Sequence, residues 1–256
     1  MYIKQNTEIE LFFLRIKKLI YLLFKPKSWI GLPLLVIPGF EHSKILKSLK
    51  KQKLDLIIDI GCNKGQFTFV SKLFFPEVDV ISFEALNSQF KKYQRLAALF
   101  KNIKAYNYAL GSYQHKTRMN VASSPDSSSI LPIKELQKNF GIHETNMFED
   151  IEIKILDEWI EEISKYSSIL LKIDVQGYEL EVLKGSKEVL KKINYLYIEA
   201  SSVELYENQP LLKNIEDFLN TEGFILKDSF NRIYDKKRNL IQGDYFFKKS
   251  PNNIQL

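Results

Sequence analysis

The chain has 256 residues, of which 45% are hydrophobic and 27% are charged, and its formal net charge is +6. This composition supplies enough apolar material for a folded core and excludes a mainly disordered chain. The single cysteine, Cys62, excludes an internal disulfide and a multi-cysteine zinc site, and three widely spaced histidines give no metal-binding signature, so no metal is expected.

The basic charge belongs to the N-terminal segment. Residues 1–53 carry 11 lysines and arginines against 3 acidic residues, whereas residues 54–256 carry 26 against 28. The near-neutral body argues against a nucleic-acid partner. Basic residues interrupt the apolar run over residues 11–40, so this run is neither a membrane span of about 20 residues nor a signal peptide. The sequence therefore predicts a cytoplasmic protein.

Two alternatives remain open for residues 1–40. A basic amphipathic helix would contact an anionic membrane surface and hold the protein at the inner face of the membrane. A helix docked on the core would leave the same lysines solvated. In either case we expect a helical extension over residues 1–50, followed by one domain over residues 51–250.

The body alternates strands with helices, which predicts an α/β fold with a mostly parallel sheet. Hydrophobic runs predict strands, and longer amphipathic runs predict helices. The strands fall at residues 53–59, 78–83, 104–110, 169–174, 195–200, from 224 and at 241–248, and the helices at 66–74, 89–100, 179–192 and 211–221. The last two strands form an antiparallel edge hairpin. The rhythm lapses over residues 111–150, where edge strands are predicted at 117–121 and 151–155.

The first strand ends in a glycine turn, DIGCNKG, which starts at Asp59. Ligands of doubly wound sheets lie at the carboxyl ends of the strands, and Gly61 and Gly65 allow a tight turn and close approach. Asn63 stands where a dinucleotide fingerprint has its second glycine, which favours a nucleoside ligand without phosphates. Glu84, after the second strand, can accept hydrogen bonds from both ribose hydroxyls. Alternatively, the glycines only turn the chain and Asp59 caps the next helix.

Several segments, in order, resemble the FkbM family of class I S-adenosylmethionine-dependent methyltransferases. The resemblance covers about residues 54 to 248. It rests on DIGCNKGQF (59–67), FEALNSQF (83–90), ALG (109–111), SSSI (127–130), LKIDVQGYELEVLKG (171–185), IEAS (198–201) and IQGDYFFKK (241–249). The family usually has alanine where Cys62 stands and E-P-x-P where residues 84–87 read EALN.

The resemblance implies a Rossmann-like fold with a mostly parallel seven-stranded sheet and S-adenosylmethionine as cofactor. The implied cofactor-binding residues are Asp59, Gly61, Asn63, Gly65, Glu84 on the ribose, and Asn107, Ala109 and Leu110 beside the adenine. Family members act mainly as O-methyltransferases on sugars, glycans and other natural products. A small-molecule or glycan acceptor is therefore expected, and the insertion over residues 111–150 would shape its pocket.

Two carboxylates are the candidate catalytic residues. Asp174 ends a buried strand, where it could take the proton of an acceptor hydroxyl or fix that hydroxyl. The alternative is an N-cap for the helix near Glu179. Glu199, at the end of the fifth strand, is the second candidate. Gln176 and Glu179 are interpreted as structural. Gln242 and Asp244 either close the site or are only solvated residues of an edge strand.

Three functions follow from these observations. The first is an O-methyltransferase acting on a carbohydrate-like hydroxyl. The second is an NAD-dependent oxidoreductase of Rossmann type, against which Asn63 and the carboxylates around the turn argue. The third is a non-catalytic cofactor-binding scaffold at a membrane surface, against which the intact motif residues argue.

Overall fold

The computed structural model describes residues 31, 34 and 36–250. Within them lie ten strands and eight α-helices. The strands are β1 (Leu56–Ile60), β2 (Asp79–Phe83), β3 (Ile103–Tyr106), β4 (Ala109–Leu110), β5 (His115–Ala122), β6 (Glu144–Lys154), β7 (Ile169–Ile173), β8 (Tyr195–Ser201), β9 (Phe224–Tyr234) and β10 (Leu240–Lys249). The helices are α1 (Ser43–Leu49), α2 (Gln66–Phe74), α3 (Asn87–Ala97), α4 (Glu135–Asn139), α5 (Ile160–Ile163), α6 (Glu179–Lys184), α7 (Lys187–Leu190) and α8 (Leu212–Thr221).

Seven strands form the main sheet in the order β3-β2-β1-β7-β8-β10-β9. Strand β1 pairs in parallel with β2 and β7, and β10 pairs antiparallel with both β8 and β9. All five positions of β1 and of β7 are buried, as expected for central parallel strands covered on both faces. The predicted α/β fold, with its parallel sheet and antiparallel C-terminal hairpin, is confirmed.

The two faces of the sheet carry separate core clusters. Alternate residues of a strand point to opposite faces. Leu56, Ile58 and Ile60 therefore pack in a cluster with residues of α6, α7 and α8. Ile57 packs in the other cluster, with residues of α1 and α2. Asp59 belongs to the same face as Ile57, so the alternation buries a carboxylate beside α2.

The region after β3 departs from the prediction. The predicted strand over residues 104–110 divides in two, because Asn107 turns the chain by donating from Nδ2 to the main-chain oxygens of Glu84 (2.8 Å) and Ala85 (3.0 Å). Strand β4 then joins a second sheet, in the order β4-β6-β5. The predicted edge strand at 117–121 lies within β5, which is an edge strand of this sheet and pairs with β6. The prediction for 151–155 covers only the end of β6, which begins at Glu144 and ends at Lys154, and β6 is the central strand of the sheet and not an edge strand.

Two smaller differences concern element ends. The predicted helix over residues 179–192 is two short helices, α6 and α7, separated at Gly185 and Ser186. The first strand begins at Leu56 and not at residue 53, since Lys53 adopts a left-handed conformation (φ 47°) that ends the preceding turn.

Most of the predicted N-terminal extension lies outside the described residues, including nearly all of the proposed membrane-contacting segment 1–40. The described residues are continuous from residue 36, and a 3-10 turn over Phe40–His42 leads into α1. Ile45, Leu46 and Leu49 of α1 pack into the cluster that contains α2. No helix in the described ranges is long and apolar enough to cross a membrane.

Candidate active site

A cavity of about 650 Å³ lies at the carboxyl ends of the parallel strands, where doubly wound sheets bind ligands. Its wall is drawn from the turn after β1, the loop after β2, strand β4, the loops after β5 and β7, strands β8 and β10, and the 3-10 turn before α1. Among its lining residues are Gly61, Asn63, Glu84, Ala109, Leu110, Asp174, Glu199, Asp244 and His42.

The glycine turn forms one wall. Gly61 has a φ of +73°, and a Cβ at this position would overlap the carbonyl oxygen of Asp174. Only glycine therefore fits both the conformation and the space. The main-chain N–H groups of Gly61 and Cys62 donate to the oxygen of Phe83 (3.0 and 3.1 Å), which fixes the turn against the end of β2.

Glu84 stands beside this turn with only 6% of its surface exposed. Its Oε2 accepts from the N–H of Asn63 and its Oε1 from the N–H of Leu86, both at 2.8 Å. Burial raises the pKa of Glu84 to about 7, although these two N–H groups oppose the shift. A carboxylate oxygen has more than one acceptor position, so Glu84 can still receive two ligand hydroxyls from the cavity. The residue thus fits the ribose of a nucleoside cofactor.

Three predicted cofactor residues lie behind the wall and do not line the cavity. Asp59 is fully buried and accepts a hydrogen bond from Thr68 Oγ1 (2.7 Å). Gly65 lies against Tyr93 and Leu96. Asn107 is occupied by the main-chain bonds described above. These three residues support the glycine turn and the loop after β2. The other predicted cofactor residues line the cavity, and they are Gly61, Asn63, Glu84, Ala109 and Leu110.

Lys172 is a buried cation that the sequence analysis missed. Its Nζ lies 3.3 Å from Asp59 Oδ1 and 3.4 Å from Asp174 Oδ2, and it donates to the main-chain oxygen of Gly61 (3.2 Å). Burial would lower the pKa of Lys172, but the two carboxylates outweigh it and raise that pKa above its ordinary value. A lysine inside the otherwise apolar strand β7 is the signal that could have revealed it.

The two predicted catalytic carboxylates share one amide. Gln176 Nε2 donates to Asp174 Oδ1 and to Glu199 Oε2, both at 2.7 Å. Burial tends to raise the pKa of Asp174, but the Lys172 ammonium and the Gln176 amide prevail and hold it below its usual range. Burial, together with the charges of Asp174 and Asp244, raises the pKa of Glu199 well above its usual range.

Asp174 does not cap the following helix. Helix α6 has no side-chain bond from its N-cap residue, Tyr178. The loop before it is held by Glu179, whose carboxylate accepts from the N–H groups of Val175 (3.2 Å) and Gly177 (3.0 Å). Glu179 is therefore structural, as predicted from its position, and Asp174 is left with Lys172 and Gln176 as partners. The catalytic role of Asp174 and Glu199 stays a prediction.

A second polar group lies farther along the cavity. Tyr197 donates from its hydroxyl to Asp244 Oδ2 (2.6 Å), and Asn231 Nδ2 donates to the same oxygen (2.6 Å). His42 Nδ1 lies 2.9 Å from the Tyr197 hydroxyl. His42 and Tyr197 were missed because 155 positions separate them, and no local pattern links them.

The insertion borders the same space. Residues of the 125–130 loop line the cavity. Ser129 Oγ donates to the main-chain oxygen of Gln176 (2.6 Å), and the Tyr206 hydroxyl bonds with Gln176 Oε1 (2.9 Å). Ser129 thereby links the insertion to the main chain of Gln176, the residue whose side-chain amide joins Asp174 and Glu199.

The strand order, the glycine turn and the buried Glu84 together define a class I methyltransferase site. Residues 59–226 match the family model of the methyltransferase FkbM domain. The chain therefore belongs to the FkbM methyltransferase family, and its cofactor is S-adenosylmethionine. The NAD-dependent alternative is set aside by this match.

Two relatives extend the comparison. The 2-O-methyltransferase NoeI of Sinorhizobium fredii is 25% identical over 185 residues, which cover 70% of this chain and 76% of that protein. Methyltransferase 1 of Beauveria bassiana is 25% identical over 182 residues, covering 66% and 71%.

Solved structures of methyltransferases are also similar to the chain. Magnesium protoporphyrin IX methyltransferase from Synechocystis PCC 6803 has a TM-score of 0.44 at 11% identity, with 82% of this chain and 80% of that chain covered. Precorrin-6y C5,15-methyltransferase from Geobacter metallireducens has a TM-score of 0.46 at 10% identity, with 82% and 87% covered.

Proposed function

We propose that this methyltransferase methylates a hydroxyl group of a sugar, glycan or related natural product. The observation that carries the proposal is the polar wall formed by His42, Asp174, Gln176, Glu199 and Asp244, here called the acceptor half of the cavity. A polyol presents several hydroxyl donors at once, and this wall offers several closely spaced oxygen acceptors to match them. The name of the relative NoeI, a 2-O-methyltransferase, agrees with an oxygen acceptor.

A second group of lining residues is suited to the methyl donor. It consists of Gly61, Asn63, Glu84, Ala109 and Leu110, here called the cofactor half. Glu84 would hold the ribose, the glycine turn would lie against the amino-acid portion, and β4 would lie beside the adenine. When bound, the cofactor supplies a methyl group on a positively charged sulfur. The protein has to orient one hydroxyl toward that group and remove its proton.

Asp174 is suited to orienting that hydroxyl. Lys172 and Gln176 each hold one of its oxygens, so the carboxylate stays ionised and fixed in position. A fixed acceptor that needs no reorientation during the reaction favours the transition state. The bridge through Gln176 would place Glu199 beside the same acceptor molecule.

The test is methyl transfer to carbohydrate. The protein would be incubated with methyl-tritiated S-adenosylmethionine and cell-envelope fractions, in parallel with a panel of 4-nitrophenyl glycosides. We expect label in a sugar methyl ether, which resists mild base and is recovered as a partially methylated monosaccharide after acid hydrolysis. Glu84→Ala serves as the control with a damaged cofactor half. Label that is released by mild base, or that remains on protein or nucleic acid, would contradict the proposal.

A further inference from the structure

We propose that His42 is the base that accepts the proton of the acceptor hydroxyl, with Tyr197 and Asp244 as its positioning residues. This inference rests on the proposed O-methyl transfer. His42 precedes residues 59–226, which match the family model, and Asp244 follows them. The fold brings the turn before α1 against β8 and β10 at the cavity, so three side chains that are far apart in the sequence meet there.

The hydrogen-bond network assigns the protons. Tyr197 has a single hydroxyl proton, and its short bond to Asp244 Oδ2 (2.6 Å) is the charge-assisted one that this proton favours. The phenol oxygen can then only accept from His42 Nδ1, at 2.9 Å. Nδ1 of the neutral imidazole therefore carries the hydrogen, which leaves Nε2 with a free electron pair. Among the described residues, no hydrogen bond is made to Nε2.

The ring is also held in place. It makes edge contacts with Phe67 (ring centroids 5.3 Å apart) and with Tyr197 (5.6 Å). The His42 side chain is 17% exposed and lines the cavity. Asn231 Nδ2 donates a second hydrogen bond of 2.6 Å to the same oxygen of Asp244 and helps to fix that carboxylate. The imidazole is thus oriented by two aromatic neighbours and one carboxylate, as a positioned base has to be.

Neither predicted carboxylate is as well suited to this task. Lys172 contacts Asp174 and stabilises its ionised form, so Asp174 binds a proton weakly. Glu199 has the opposite difficulty, because burial and neighbouring charges raise its pKa and favour its protonated form. His42 lines the same cavity, and its Nε2 has a free electron pair, so it can accept a proton without giving up an existing hydrogen bond. Asp174 then keeps the orienting role and His42 removes the proton.

The step balances without a further reactant. The hydroxyl oxygen gains the methyl group, and the electron pair of the broken carbon–sulfur bond stays on the sulfur. The hydroxyl proton moves to His42 Nε2 and forms an imidazolium. Asp244, with Oδ2 3.6 Å from Nδ1, stabilises this cation. The proton passes to water after the product leaves.

The first experiment needs no acceptor. The chain has three histidines, so ¹⁵N-histidine labelling with His42→Asn and His115→Asn variants assigns their signals by NMR. At neutral pH we expect His42 in the Nδ1–H tautomer, with a chemical shift of Nε2 typical of an unprotonated ring nitrogen. Tyr197→Phe combined with Asp244→Ala removes both oxygens that face Nδ1 (2.9 and 3.6 Å) and should shift His42 toward the Nε2–H tautomer. An Nε2–H tautomer in the unmodified protein would overturn the proposal.

The second experiment measures transfer, with whichever envelope fraction or glycoside the unmodified protein labels as the probe. His42→Asn keeps an N–H donor near Tyr197 but has no basic nitrogen. We expect a loss of turnover of about 10²- to 10⁴-fold, with calorimetric affinity for S-adenosylhomocysteine within twofold. His115→Asn, at a half-buried side chain that stacks on Tyr113 and does not line the cavity, is the matched control and should keep full activity.

The two proposals fail in different ways. Retention of activity within fivefold by a folded His42→Asn protein would overturn the role of His42 and leave O-methyl transfer intact. Label on a non-hydroxyl acceptor in the unmodified protein would overturn the proposed function, and with it the need for a base at His42, whatever the tautomer.

Discussion

The two halves of the cavity differ in how the chain builds them. The cofactor half comes from residues 61–63, 84 and 109–110, which follow three strands in chain order and contribute mainly backbone and one carboxylate. The acceptor half is drawn from segments between His42 and Asp244, and its charged side chains bond to one another. The first half depends on local turns, whereas the second depends on tertiary assembly. Substitutions should therefore separate binding of the cofactor from use of the acceptor.

Lys172 joins the two halves, and its removal should have the largest effect. Lys172→Met would leave the fully buried Asp59 and the adjacent Asp174 without their cation. Breaking a buried ion pair typically costs about 3–5 kcal/mol, so we expect the free energy of unfolding, measured in urea, to fall by that amount. Lys191→Met removes an exposed lysine that pairs with Glu188, and this control should change the free energy of unfolding by less than about 0.5 kcal/mol.

A second variant tests the cause of this loss. Adding Asp59→Asn to Lys172→Met removes the uncompensated charge, so the double variant should recover part of the lost stability. Equal stabilities of Lys172→Met and Lys191→Met would show that Lys172 is not the link between the halves.

The same contrast explains what the sequence could predict. Gly61, Asn63 and Glu84 follow consecutive strands directly, so a short motif and the rule for parallel sheets were enough to place them at one cavity. The mostly parallel sheet followed from the alternation of strands and helices, and its number of seven strands was implied by the resemblance to the FkbM family. The pairing of His42 with Tyr197 is invisible locally, because it joins an N-terminal turn to the middle of β8. The second sheet was missed because residues 104–110 read as one strand. The side-chain bonds of Asn107 separate β3 from β4, and β4 pairs in the second sheet.

The second prediction concerns the backbone of the cofactor half. Gly61→Ala combines a left-handed conformation with overlap of the Asp174 carbonyl, while Gly141→Ala has a similar φ (+83°) and no neighbour within 4 Å. The conformation alone costs about 1–2 kcal/mol, and overpacking adds about 1–3 kcal/mol. We expect urea unfolding to show the larger loss for Gly61→Ala, together with weaker cofactor binding. Equal losses would mean that the turn has room to shift.

The third prediction isolates the acceptor half. Gln176→Leu keeps the size of the side chain but removes the amide that bridges Asp174 and Glu199. Loss of hydrogen bonds to charged groups costs about 1.5–3 kcal/mol each, so turnover should fall at least tenfold. Calorimetric affinity for S-adenosylhomocysteine should stay within twofold. Tyr206→Phe, which removes only the hydroxyl group that contacts Gln176 Oε1, is the control, and its loss of turnover should be smaller. A parallel loss of cofactor affinity would show that the halves are not separable.

The smallest effect is a pH dependence confined to the cofactor half. The pKa of Glu84 is raised by burial to about 7, so the free folded protein carries a proton there between about pH 4.5 and 7 that the unfolded chain lacks. The contribution of Glu84 to stability is thus fully present below pH 4.5 and is lost as the pH rises through 7. The affinity for the cofactor has the opposite pH dependence and increases as the pH rises, because ribose hydroxyls and a sulfonium cation favour the ionised carboxylate. Affinity for S-adenosylmethionine should therefore rise severalfold from pH 6 to pH 8, with proton release on binding.

Glu84→Gln separates this titration from its neighbours. The amide cannot ionise, so the variant should bind more weakly at pH 8 and lose most of the difference between pH 6 and pH 8. Glu179, whose pKa burial also raises to about 7, remains in the variant and accounts for any pH dependence of stability that persists. Calorimetry in buffers of different ionisation enthalpy measures the released proton directly. If the affinity of Glu84→Gln for S-adenosylmethionine kept the same pH dependence, the titrating group would lie in the acceptor half. The charges of the acceptor half would then influence cofactor binding, and the two halves would not be electrostatically independent.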